Sequence, residues 1–178
     1  MAEQGAHKAL IGIKVFSNEG QGLLQQLMAE LRPKMDIIAA SSIYRVWGNA
    51  SHPGHIHDLR RREIYDGIAV VIKVISLDSP QNLLKFLCGV EAKIRSEALR
   101  RSISLNLLVY DDLTYMTPEL TLPHPELHRR PEALFLAAEV WKEYVHPVLK
   151  ENLSALTRRL HVEQWRQFYA QGKTLLDF

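Results

Sequence analysis

The chain has 178 residues, of which 47% are hydrophobic and 24% charged, and its formal charge is +2 at pH 7. This length suits a single domain over 1–178 with a substantial core and is too short for two. The mild positive balance accommodates an anionic ligand but excludes the charge density of a dedicated nucleic-acid binder, and no apolar run approaches the ~20 residues that span a bilayer.

In chain order, "ALIGIKVF" (9–16) predicts a strand, and Ser17-Asn18 a turn. A helix follows with Leu23, Leu24, Leu27, Met28 and Leu31 on one face, stopped at Pro33. "DIIAASSIYRVW" (36–47) predicts a second strand, and 48–62 a long loop without periodicity. That loop holds His52, His55 and His57, whose spacing could chelate a metal, and Arg60, Arg61 and Arg62, which could steer an anion. An ordinary loop and a solvated face are sufficient readings of both. "IAVVIKVI" (68–75), apolar on both faces apart from Lys73, predicts a central strand.

Ser79-Pro80 supplies an N-cap and an N1 proline for a helix whose stripe is Leu83, Leu87, Val90 and Ile94. In "RRSISLNLLVY" (100–110), Ser102, Ser104 and Asn106 alternate with Ile103, Leu105 and Leu107, as in a strand with one polar face. The proline-punctuated "TPELTLPHPELHRRP" (117–131) leads into a helix over about 132–144. Residues 148–178 are expected to form a C-terminal helical segment through Leu153, Leu156, Leu160 and Trp165. Trp141, Tyr144, Trp165, Phe168 and Tyr169 recur at near-helical spacing and are read as core or interface packing.

The order β-α-β-β-α-β followed by helices predicts an α+β, ferredoxin-like sheet, with the C-terminal helices folding back to complete an α-β-α sandwich. The single cysteine, Cys88, excludes an internal disulfide and fits a reducing compartment. Its place in an apolar helical pattern predicts a buried, inert thiol. No secretory signal is legible at the N-terminus, so the cytoplasm is the expected location, with no membrane association.

"SSIYR" (41–45), "RSISLN" (101–106) and "LTLPHPELHRR" (120–130) occur in the order and spacing of a known family. The chain resembles the 6-hydroxymethyl-7,8-dihydropterin pyrophosphokinases, folate-pathway enzymes that transfer pyrophosphate from ATP to a pterin alcohol. The resemblance covers about residues 9–147 and is most specific at Pro-His-Pro with Arg130 six residues past His124. It implies the fold already read from periodicity.

In that family the fourth strand reads Arg-x-x-Asp-x-Asp, and its two carboxylates hold two magnesium ions between ATP and the pterin. Here Arg101 matches, while the aspartate positions hold Ser104 and Asn106, both neutral. The resemblance therefore implies no intact metal site and no confident catalytic residue. Glu91, Arg101, His124 and Arg130 align with nucleotide-contacting residues, and Arg95 with a further loop arginine. The pterin side departs from the pattern. Val46 and Trp47 replace a threonine and a proline, Asp66 an asparagine, Glu132 a stacking aromatic, and Phe16 a glycine. Asp111 and Asp112 lie too far along the strand to serve as the missing ligands and read as a turn.

Three readings stay open. One is a catalytically impaired homologue that keeps a cleft for a nucleotide or another anionic small molecule. Another is an interaction module for a protein partner on the same fold. The third is an active pyrophosphokinase with unconventional metal ligands or a different acceptor. ATP and Mg2+ are expected only if the family activity is retained.

Overall fold

The structure, a computed structural model, describes residues 5–17, 20–47, 66–97, 102–160 and 166–176. Its central strands are β1 (His7–Phe16) and β4 (Asp66–Ser76), paired antiparallel from His7↔Ser76 to Val15↔Ile68. β5 (Ser102–Tyr110) lies on the far side of β1. The predicted strand over 36–47 forms two shorter ones, β2 (Asp36–Ala40) and β3 (Ile43–Trp47), both pairing with β4. The break has a local cause. The Ser41 side chain enters the ladder, its Oγ accepting the Val71 N–H while its own N–H donates to the Val71 carbonyl. Sheet order is β5-β1-β4-β3-β8, with every neighbouring pair antiparallel.

Because side chains alternate along a strand, β1 and β4 feed two cores. Ala9, Ile11, Ile13 and Val15, with Ile68, Val70, Ile72 and Val74, pack against α1 (Gly20–Leu31) and α2 (Pro80–Glu97). The α1 face read from the sequence is buried without exception, and so is the α2 stripe. Ser79 caps α2 by accepting the Asn82 N–H at 3.3 Å. Full burial of each Leu or Ile on these stripes contributes about 1.5–3 kcal/mol.

The opposite face carries Leu10, Ala69, Val71 and Leu108, covered by three further helices: α3 (Glu126–Arg129), α4 (Pro131–Trp141) and α5 (Leu153–Arg159). A two-stranded ribbon, β6 (Tyr115–Met116) and β7 (Thr121–Leu122), precedes them. The α-β-α sandwich is therefore as expected. Lys73, the exception in an apolar strand, sets its ammonium 4.0 Å over the Trp141 ring.

Two expectations are corrected. Among the described residues, the C-terminal segment is α-helical over α5 and not beyond it. Arg166–Ala170 forms strand β8 along β3, and a short 3-10 helix (Gly172–Leu175) follows. The aromatics Phe168 and Tyr169 face opposite ways on that strand. Phe168 meets Tyr44 edge-on, and Tyr169 lies under Arg45. Gly172 lets this segment dock, because a Cβ there would collide with the backbone carbonyl of Ser41. Cys88 is exposed rather than buried. It follows Leu87 by one residue, which turns it about 100° away from the apolar stripe. No helix among the described residues is long and apolar enough to cross a membrane.

The helical layer holds a buried histidine, His146, against a half-buried one, His128, with ring centroids 5.6 Å apart. His146 Nδ1 accepts the N–H groups of Val148 and Leu149, which puts the neutral ring's proton on Nε2. Burial holds both imidazoles below their ordinary value of 6.5, with Arg129 adding to the effect on His128 and His128 to that on His146. The unfolded chain thus takes up protons first, so this stability is complete above pH 6.5 and is lost as the pH falls below it. His146→Asn, which keeps an acceptor but takes up no proton, is expected to flatten the decline by up to ~1.4 kcal/mol per pH unit. Urea denaturation of both proteins between about pH 5 and 7.5 measures the difference, and parallel slopes would refute the assignment.

Candidate functional site

Ser104 and Asn106 stand on the face of β5 that looks toward α4, since Ile103, Leu105 and Leu107 fill the other core. Asn106 Nδ2 donates to Ser104 Oγ at 3.2 Å. Across the ladder, their Cα partners on β1 are Lys14 for Ser104 and Gly12 for Asn106. Lys14 is a charged group inside a strand with helices on both faces, and it requires an anion. Glu132 supplies it, accepting from Lys14 Nζ at 2.8 Å, with the two side chains only 19% and 12% exposed.

Glu132 lies in the first turn of α4, where a carboxylate also complements the helix dipole. Arg130 occupies the N-cap position of that helix. Its Nε is 2.8 Å from Glu126 Oε2, and its guanidinium also reaches to 3.9 Å from Glu132 Oε1. His124 is tied to β5 by its backbone N–H, which donates to the Leu108 carbonyl at 2.8 Å. Its Nδ1 accepts the Glu126 N–H at 3.2 Å, leaving the neutral ring's proton on Nε2. Burial lowers its proton affinity; Glu126 acts the other way and Lys14 in the same direction.

The fold therefore gathers Lys14, His124, Glu126, Arg130 and Glu132 above the polar face of β5. Two of these, His124 and Arg130, were expected from the sequence as anion contacts. Glu91 is placed elsewhere. It projects from α2, and its carboxylate takes the outward-facing Leu105 N–H of edge strand β5, while Arg95 donates to the Ile103 carbonyl at 2.9 Å. Arg101 lies outside the described residues, as do the histidines and arginines expected in the 48–62 loop. Val46 is buried in the second core. Trp47 and Asp66 are Cα partners where β3 meets β4, and their side chains lie outside the described set. Phe16 occupies the space above Gly67, where a Cβ would come within 2.6 Å of its ring.

Sequence reasoning missed Lys14 and Glu126. The signal for Lys14 was present, because an ammonium in an otherwise apolar strand must find a partner.

A magnesium pair of the kind the resemblance implies does not fit these residues. Ser104 and Asn106 bring no charge, and the side chain opposite Ser104 is a cation. Asp111 is otherwise engaged. It sits at φ 45° in the turn after β5 and accepts from Lys8 N–H at 2.8 Å and His7 Nδ1 at 2.7 Å. No group of three or more His, Cys, Asp or Glu that could hold a metal occurs among the described residues.

With this geometry in hand, the chain can be set beside known proteins. No protein-family model matches it. A 2-amino-4-hydroxy-6-hydroxymethyldihydropteridine pyrophosphokinase from Synechocystis sp. is 34% identical over 73 residues, which is 39% of this chain and 37% of that protein. The wild-type HPPK-DHPS structure of Plasmodium falciparum superposes with a TM-score of 0.71 at 11% identity, covering 94% of this chain and 49% of the other. The same protein with pterin and p-hydroxybenzoate gives 0.67 at 13%, over 94% and 47%. The likeness is to the pterin pyrophosphokinases. Sequence supports it over one stretch and fold over nearly the whole chain. This chain spans less than half the length of each of these relatives.

Within the pyrophosphokinase fold, Glu91 here has a structural task that can be measured. Glu91→Ala leaves the Leu105 N–H of an edge strand without its acceptor and is expected to cost about 1–3 kcal/mol. Hydrogen exchange at the Leu105 amide should accelerate alongside the loss of stability. An unchanged amide would show that the carboxylate does not hold the strand.

Proposed function

We propose that this chain is a homologue of the pterin pyrophosphokinases that has given up metal-dependent pyrophosphoryl transfer and keeps a face for a nucleotide or another small anion. The observation that carries this reading is the Lys14 ammonium on the strand position across from Ser104, on the face where the resemblance implies metal carboxylates at Ser104 and Asn106. An ammonium and a divalent cation repel; at ~4 Å and an effective dielectric of about 20, each pair of unit charges costs about 4 kcal/mol. The same ammonium attracts a phosphate oxygen directly. His124 and Arg130 are the residues we assign to anion contact, and the resemblance adds Arg101 to them. Glu132 in place of a stacking ring argues against the flat pterin ligand.

The charges of this face are already paired with one another, which keeps a second reading in view: an interaction module that retains the fold and does not use the face. One experiment separates the readings. Isothermal titration calorimetry with ATP, with and without Mg2+, is followed by addition of the hydroxymethyl pterin and an assay for AMP. The expected result is ATP binding that EDTA leaves unchanged and AMP formation at least ~10³-fold below that of a metal-dependent enzyme, the loss of about 4 kcal/mol of transition-state stabilisation. Magnesium-dependent binding that tightens the pterin site, with AMP formed, would overturn it. No heat with any ligand would favour the interaction module.

A further inference from the structure

Glu132 has a second property that follows from its position. Its Oε1 receives Lys14 Nζ at 2.8 Å and lies 3.9 Å from the Arg130 guanidinium, so one carboxylate oxygen occupies the point on which two cations converge. We propose that Glu132 is a built-in competitor: it holds the place of a compact phosphate-type anion, which binds without metal by displacing it from Lys14 and Arg130. The inference rests on the anion-face reading above and names the ligand chemistry and the residue that sets its affinity.

The charge balance supports it. Among the described residues, Lys14 and Arg130 are matched by Glu126 and Glu132, and burial disfavours the charged form of His124, so these five side chains carry no surplus positive charge for an incoming anion. Two of these partners differ in kind. Glu126 grips Arg130 one helical turn away, at 2.8 Å, and its backbone N–H also orients His124. Glu132 reaches across from α4 to a different element, β1, and sits at the N-terminal turn of an 11-residue helix whose dipole favours an anion there. Swinging its side chain away exposes Lys14, the Arg130 guanidinium and the neutral hydroxyl and amide of Ser104 and Asn106 together. That set consists of two fixed cations and neutral polar groups, which suits phosphate oxygens and needs no bridging metal.

The sign of the effect separates a competitor from a ligand. Glu132→Gln keeps the shape and removes the charge. In EDTA, with inorganic pyrophosphate as the probe, the variant is expected to bind at least about tenfold tighter than the parent chain, and Glu132→Gln with Lys14→Met to lose that gain. Glu30→Gln, on α1 at the opposite face of the sheet, removes the same charge and is expected to change nothing, which controls for net charge. Thermal unfolding of each variant checks that it is folded. Binding by folded Glu132→Gln that equals or falls below the parent's would overturn the inference, as would a tightening that survives Lys14→Met. If ATP binds the parent without metal and Glu132→Gln gains nothing, the competitor fails and the anion face stands. If neither protein binds ATP or pyrophosphate, both fall.

Discussion

Strand β1 has helices on both of its faces, and the rest of the molecule depends on how its residues alternate between them. Ala9, Ile11, Ile13 and Val15 go to one core, and Leu10, Gly12, Lys14 and Phe16 to the layer beneath α4. Lys8 reaches solvent at the start of the strand, but Lys14 lies under α4 and is only 19% exposed. Lys14 is paired within the fold, and its partner stands in the first turn of α4, the helix that packs on this face through Ala133, Leu134, Leu136 and Ala137. Arg130 and Glu126 flank that contact and complete the candidate site.

Edges pose the complementary problem, since an outer strand leaves backbone groups unpaired. At β5 the exposed N–H of Leu105 and carbonyl of Ile103 are met by Glu91 and Arg95, two residues one helical turn apart on α2. At the other side β8 extends the sheet beyond β3, and the short 3-10 helix after it closes over Ser41. Glu91 and Arg95 thus explain themselves as side chains that finish a sheet edge. Alignment with nucleotide-contacting positions would assign the same two residues to a ligand, and here geometry gives them a task that needs none.

The likeness to the pterin pyrophosphokinases and the chemistry of the face are answers to separate questions. A fold is kept when the alternation and the helix stripes are kept, because these bury the apolar area that stabilises it. A metal site is kept only when specific carboxylates are, and Ser104 and Asn106 are not carboxylates. With Lys14 opposite Ser104, the polar face of β5 carries a cation and two neutral side chains. At the end of β1 the Phe16 ring fills the space above Gly67.

What the sequence determined by itself was the set of elements whose signal is periodic. The α1 and α2 stripes, the strands at 9–16 and 68–75 and the polar alternation of β5 were all legible, because burial selects residues at the spacing of the element that buries them. His124 and Arg130 were legible as neighbours because they sit close in the chain. Tertiary structure decided the remainder. The strand at 166–170 read as helix because an edge strand laid on β3 needs little periodicity of its own, and Phe168-Tyr169 also matches a helical face. Cys88 misled because one residue of rotation separates a buried stripe from solvent. The pairing of Lys14 with Glu132 spans 118 positions, and no local pattern carries such a contact. It comes into being only when two elements far apart in the chain are packed face to face, where an unpaired charge costs too much to leave buried.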